Sequence, residues 1–184
     1  VRQVSVEDAA GLLVSGGAAR AIFISPEGDE GAAAAVMVAR EVADSGLRVL
    51  LLDLTASGAA SRPMLDGASL PGITDLLASE AQFTDAVHAD LYSDCYVMPV
   101  GTVEPVRAMR AADRLPAIME ALTMAYDVVV VECGASDAEG IRRLVADGTE
   151  VMVSVVEPNE ETVATATDLK AQGYGRVMMV SLAA

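Results

Sequence analysis

The chain has 184 residues, is 53% hydrophobic but only 3% aromatic, and carries a formal net charge of −15. That length suits one domain, and the apolar content excludes a disordered chain. The charge excludes a protein that tracks nucleic-acid phosphates, because no basic footprint is present, and an anionic membrane surface would repel it.

Ser5, with Glu7 and Asp8 behind it, reads as the N-cap of a short helix that "SGGA" (15–18) then breaks. From Ala21 an alternation sets in. Apolar runs at 21–25, 48–54, 95–101, 126–134, 149–158 and 175–182 read as six strands. Helices are expected at 32–45, at 73–80, within 107–125, at 137–146 and at 160–171, with a looser Gly, Ser and Pro stretch at 57–72.

Strands apolar on both faces, alternating with helices, predict a parallel sheet covered on both sides. Right-handed crossovers then give an α/β fold, a doubly wound and mostly parallel sheet in a three-layer sandwich, as one domain over 1–184. Ligand loops in such sheets lie beyond the carboxyl ends of the strands. Four stretches share that edge: the loop 25–31, Asp53 with the residues after it, the segment 99–105, and Glu132 with the residues after it.

Cys95 and Cys133 have no CxxC spacing and read as buried reduced thiols. The single His88 cannot complete a metal site with them and reads as a surface loop residue. No apolar run approaches the ~20 residues of a membrane span, and no signal peptide is visible. The first residue is Val rather than Met, which reads as a piece of a longer protein whose membrane part would lie elsewhere.

The loop "SPEGDEGAAA" (25–34) has the outline of a phosphate cradle at a helix N-terminus, with Gly28 and Gly31 allowing close backbone approach. A P-loop adds a lysine for the β- and γ-phosphates and a hydroxyl for Mg²⁺. Ala32 and Ala33 supply neither. Glu27, Asp29 and Glu30 bring negative charge to the same loop; each close pair with a phosphate would cost roughly 1 kcal/mol in water and about 4 kcal/mol at a partly shielded surface. The only lysine, Lys170, is expected at the opposite edge, so Arg62 is the better substitute cation. Asp53 and Glu132 end buried runs, where an acid usually holds Mg²⁺, though Glu132 is one methylene longer than the usual Asp. Gly28, Gly31, Ala32, Ala33, Asp53, Arg62 and Glu132 together read as a remnant nucleotide site.

The order of motifs resembles the cytoplasmic domain of bacterial tyrosine kinases (BY-kinases) of exopolysaccharide chain-length and export proteins, cousins of the ParA/MinD P-loop ATPases. The resemblance runs from about residue 18 to the end. "GDEGAAA" stands where the family has Gly-Lys-Ser/Thr-Thr. "LLLDLTASGAASRP" keeps Asp53, Arg62 and Pro63 of its second motif but has Thr55 for the second Asp. "GITDLLASEA" and "VMPVG" match two further pieces, and "VVVVECGAS" stands for its third motif. The resemblance implies a P-loop NTPase-like fold on the cytoplasmic face of the bacterial inner membrane, acting in exopolysaccharide biosynthesis or export. It implies ATP and Mg in active relatives, but of the residues that serve them only Asp53 carries over. Tyr92, Tyr96, Tyr126 and Tyr174 are scattered rather than gathered into the family's tyrosine-rich tail, and the ring-forming Glu-x-x-Arg-x-x-Arg helix has no counterpart.

The expected function is therefore a regulatory or docking domain without ATP turnover and without a cofactor. Its partners would be proteins of a polysaccharide export assembly and further copies of itself, with no nucleic acid, and with a membrane reached only through a missing segment. Two alternatives are a divergent but active ATPase or tyrosine kinase, and a ParA/MinD-like localisation or pilus-assembly module.

Overall fold

Three runs, "RAIFI", "VLLLD" and "VVVVE", are buried at every residue. They lie side by side in the middle of one sheet, as strands without a solvent face must. The computed structural model describes residues 2–174 and 176–182. In chain order the elements are β1 (Arg2–Ser5), α1 (Val6–Gly16), β2 (Arg20–Ile24), α2 (Ala32–Asp44), β3 (Val49–Asp53), α3 (Ser61–Met64), α4 (Ile73–Leu77), α5 (Phe83–Ala86), β4 (His88–Ala89), β5 (Tyr96–Met98), α6 (Pro105–Met109), α7 (Leu115–Ala125), β6 (Val128–Glu132), β7 (Thr149–Val155), α8 (Glu160–Ala171) and β8 (Val177–Ser181).

The sheet runs β1-β8-β7-β2-β6-β3-β5-β4. Every pairing is parallel except β4 with β5. Alternate residues of the strands feed two cores. Phe23, Leu51 and Val130 pack with α1 and α2 on one face, while Ile22, Leu52 and Val131 pack with α4, α7 and α8 on the other. The three-layer, mostly parallel α/β sandwich is thus present.

Several expectations need correction. Among the described residues the sheet has eight strands, not six. β1 was hidden because Arg2 and Gln3 are exposed and only Val4 is buried. Ser5 ends this strand and also caps α1, its Oγ accepting from Asp8 N at 3.0 Å, so strand passes into helix without a loop. His88 is not a loop residue: it lies in β4 and its Nε2 meets Pro71 O at 2.8 Å.

The expected helix 137–146 is a turn followed by a 3-10 turn at Arg142–Leu144. Ala138, Ile141 and Leu144 are buried at helical spacing, which produced the false signal. Asp137, accepting from Gly140 N at 2.8 Å, favours the turn instead. The expected helix within 107–125 is two, α6 and α7, each with Pro in its first turn and a 3-10 turn at Ala112–Arg114 between them.

The "GITDLL" and "VMPVG" pieces form one lock. The Asp75 carboxylate accepts from Gly72 N at 2.8 Å, Thr102 N at 2.9 Å and Thr102 Oγ1 at 2.6 Å, tying α4 to the loop after β5. Burial pushes its carboxyl up, but these hydrogen bonds outweigh that and hold it below the usual value. Gly72 is obligatory there, because a Cβ would sit 2.0 Å from Pro99 O.

Candidate functional site

The loop after β2, the ends of β3 and β6, and the end of β7 meet at the carboxyl edge of the sheet. Register puts Asp53 opposite Glu132 across β3 and β6, and Glu132 opposite Phe23 across β6 and β2. Four polar side chains thus lie at or beside the carboxyl ends of neighbouring strands: Ser154, Ser25, Glu132 and Asp53. All four are fully buried.

The loop is closed on itself. Gly28 N donates to Ser25 O at 3.1 Å and Gly31 N to Gly28 O at 3.0 Å, while Ala32 N bonds Asp29 O. These three N–H groups, which an anion cradle would turn outward, are spent inside the turn at 26–27 and the 3-10 turn at Asp29–Gly31 that leads into α2. Gly28 has φ +87° and Gly31 is packed so tightly that a Cβ would lie 2.9 Å from Ser25 Cβ.

The loop acids point in different directions. The Glu27 carboxylate accepts from Val156 N at 2.8 Å and Glu157 N at 3.2 Å, clamping the chain beyond β7. Asp29 accepts from Ser57 Oγ at 2.9 Å. Glu30 is exposed.

Asp53 is saturated. Its Oδ1 accepts from Thr55 N at 2.9 Å and Thr55 Oγ1 at 2.7 Å, and its Oδ2 from Ser61 N at 2.8 Å and Ser61 Oγ at 2.7 Å. Both oxygens are engaged in holding the chain between β3 and α3. Thr55 at the second-Asp position thus serves the first Asp.

Glu132 is in the opposite condition. Its Oε1 accepts from Ser25 Oγ at 2.6 Å and Gly134 N at 3.2 Å, but its buried Oε2 has no protein partner, and neither has Ser154 Oγ. Burial pushes the carboxyl up to about 8, against the hydrogen bonds from Ser25 and Gly134, and the charges of Asp53 and Asp29 add to the rise. Glu132 therefore holds a proton at neutral pH. No group of three or more His, Cys, Asp or Glu side chains that could hold a metal ion occurs among the described residues.

An open depression of about 400 Å³ lies above this row, lined by Gly28, Asp29, Ala32, Thr55, Ser57 and Cys133 among others. Ala32 is buried at its floor and Ala33 faces solvent. Arg62, on α3, lines a neighbouring hollow of about 190 Å³ that shares Ala56 and Ser57 with the first. Lys170 lies with Arg2 and Arg176 around a different cavity. The structure therefore gathers Gly28, Gly31, Ala32, Asp53 and Glu132, sets Arg62 beside them and leaves Lys170 out.

Ser25 and Ser154 were not singled out from the sequence. The signal available was a hydroxyl interrupting each of the apolar runs "AIFIS" and "VMVSVV". Of the thiols, Cys95 is buried and pushed up to about 12 by burial. Cys133 is only half-buried at the depression, and its thiol is also raised by burial. No described helix is long and apolar enough to cross a membrane.

No family model matches the sequence, and no curated protein matches it. Solved structures do. The kinase domain of VpsO superposes with a TM-score of 0.78 at 19% identity, covering 94% of this chain and 89% of that one. The BceF tyrosine kinase domain gives 0.70 at 23% identity, covering 96% and 74%. The cell division ATPase MinD of Pyrococcus furiosus gives 0.63 at 24% identity, covering 86% and 69%. The chain has the P-loop NTPase-like fold shared by BY-kinase domains and MinD-type ATPases.

Proposed function

We propose that this chain is a kinase-fold domain that does not turn over ATP and that works as a regulatory or docking module of an exopolysaccharide biosynthesis or export protein at the cytoplasmic face of the bacterial inner membrane. One observation carries the reading: Gly28 N, Gly31 N and Ala32 N donate to carbonyls of the loop itself, and the loop hands over to Ala32 and Ala33. A triphosphate laid over α2 would meet no lysine, and no hydroxyl at Ala32 or Ala33, and it would meet Asp29 and Glu30. Neither ATP nor Mg is then a working cofactor.

The polysaccharide setting rests on the motif resemblance and on the likeness of fold to kinase domains. In this reading the domain acts through protein partners of an export assembly and through copies of itself. It does not act on nucleic acid, and any membrane attachment is made by a segment outside residues 1–184. Calorimetric titration with ATP-Mg up to millimolar concentration tests the loss of nucleotide binding. The expected result is no saturable heat, and clear saturation overturns the reading.

A second reading, a divergent ATPase or kinase, is favoured by Arg62. Its side chain makes no ion pair among the described residues, and it lines the hollow next to the depression over Ala32. In that case ATP hydrolysis would be measurable and Arg62→Ala would abolish it.

A further inference from the structure

The edge of the sheet opposite the loop 25–31 carries a feature that the nucleotide-like site does not use. At the amino ends of β1, β7 and β8, a cavity of about 570 Å³ opens between the sheet margin and the carboxyl ends of α1 and α8. Its walls are apolar side chains, among them Leu12, Leu13 and Met178, and Leu12 is 37% exposed. Its rim holds Arg2, Lys170 and Arg176, which include the chain's single lysine. Against them stands one acid, Glu150, whose contact with Arg176 is long at 4.0 Å. Arg2 and Lys170 make no ion pair among the described residues.

In a chain of net charge −15, three cations gathered around one apolar hollow with one distant counter-charge form a local positive island. The size falls within the range of small-molecule sites, which combine apolar walls with a few placed polar groups. Long Lys and Arg stems can line the apolar wall while their heads reach an anion at the mouth. We infer that this cavity binds a small anionic amphiphile, an acyl chain or similar apolar body ending in a carboxylate or phosphate. The apolar body lies against Leu12, Leu13 and Met178, and the anionic head is held by Arg2, Lys170 and Arg176. A free amphiphile and the headgroup region of an anionic bilayer share this chemistry.

Two arms separate these sources. In the first, the protein is titrated calorimetrically with decanoate below its micelle threshold, with decanol and inorganic phosphate as controls. Saturable decanoate binding is expected, with both controls at least about tenfold weaker, because each lacks half of the recognition. The combined variant Arg2→Gln, Lys170→Gln, Arg176→Gln should weaken decanoate binding by about tenfold or more. Leu12→Asp, which places a charge on the wall and leaves the cations in place, should do the same. In the second arm, sedimentation with phosphatidylglycerol and phosphatidylcholine vesicles is compared. Decanoate binding without vesicle binding assigns a free ligand; binding of both, with the phosphatidylglycerol vesicles lost by the triple variant, assigns a lipid headgroup. No saturable decanoate binding, or binding untouched by both variants, overturns the proposal. So does vesicle binding without decanoate binding, since surface charge and not the cavity would then be responsible.

Discussion

Ser25 Oγ donates to Glu132 Oε1 at 2.6 Å beneath the loop, while the other oxygen of the same carboxyl is buried with no protein partner. This half-satisfied acid sits between a saturated one, Asp53, and an unpartnered hydroxyl, Ser154. Its condition makes the row of strand ends sensitive to proton concentration.

Glu132 should make the protein less stable as pH rises. The carboxyl goes from 4.5 in the open chain to about 8 when folded. Between those values the unfolded chain has lost its proton and the native state keeps it, so native stability falls with pH and the proton-linked contribution is gone above about 8. The loss over that window is on the order of a few kcal/mol. Urea denaturation at a series of pH values from 5 to 9 measures it. Glu132→Gln keeps an acceptor for Ser25 and should flatten the profile; an unchanged slope in that variant would assign the effect to another group.

Asp53→Ala should destabilise the fold by about 2–4 kcal/mol, because four donors from Thr55 and Ser61 lose their acceptor. Asp53→Asn should cost less, since one oxygen still accepts. Denaturant midpoints separate the two. Equal stability of Asp53→Ala and the parent would mean that the four bonds contribute nothing net.

Gly31→Ala should cost about 1–3 kcal/mol, since its Cβ would stand 2.9 Å from Ser25 Cβ and 3.1 Å from Ser25 Oγ. The displaced side chain is the one that donates to Glu132, so the variant should also alter the pH profile of stability. A thermal melt matching the parent at all pH values would show that the loop yields freely.

Restoring Ala32→Lys and Ala33→Ser together should not create tight ATP binding. The N–H groups of Gly28, Gly31 and residue 32 remain engaged by the loop's carbonyls, and Glu27, Asp29 and Glu30 remain. Calorimetry should show no binding tighter than roughly millimolar, the scale of about −4 kcal/mol. A micromolar dissociation constant in the double variant would mean that the side chains alone were lacking.

The buried runs made the fold legible. "AIFIS", "VLLLD" and "VVVVE" read as strands and lie at the centre of the sheet, and Ser5 marked a helix start where one occurs. The margins were harder to read. β1 and β4 are short and half-polar, and their identity comes from partners distant in sequence: Arg2–Ser5 against Met178–Ser181, and His88 against Val97. At the site, the positions of Gly31, Asp53 and Glu132 were set by their places at strand and helix ends. Their bonding was not. No local pattern says that Glu27 reaches Val156, or that Asp53 is fully engaged while Glu132 is not, because each depends on which loop crosses above it.

The passage from β1 into α1 has a mechanical consequence. β1 runs parallel to β8, with Arg2 opposite Met178 and Ser5 opposite Ser181, so the start of one strand and the finish of the other lie at opposite ends of the ladder. Tension between Arg2 and Ser181 would act along the strands, across hydrogen bonds that bridge them sideways. The rungs would be loaded together in shear rather than peeled one after another, and a pull transmitted through this margin would meet resistance from the whole ladder before β1 separates.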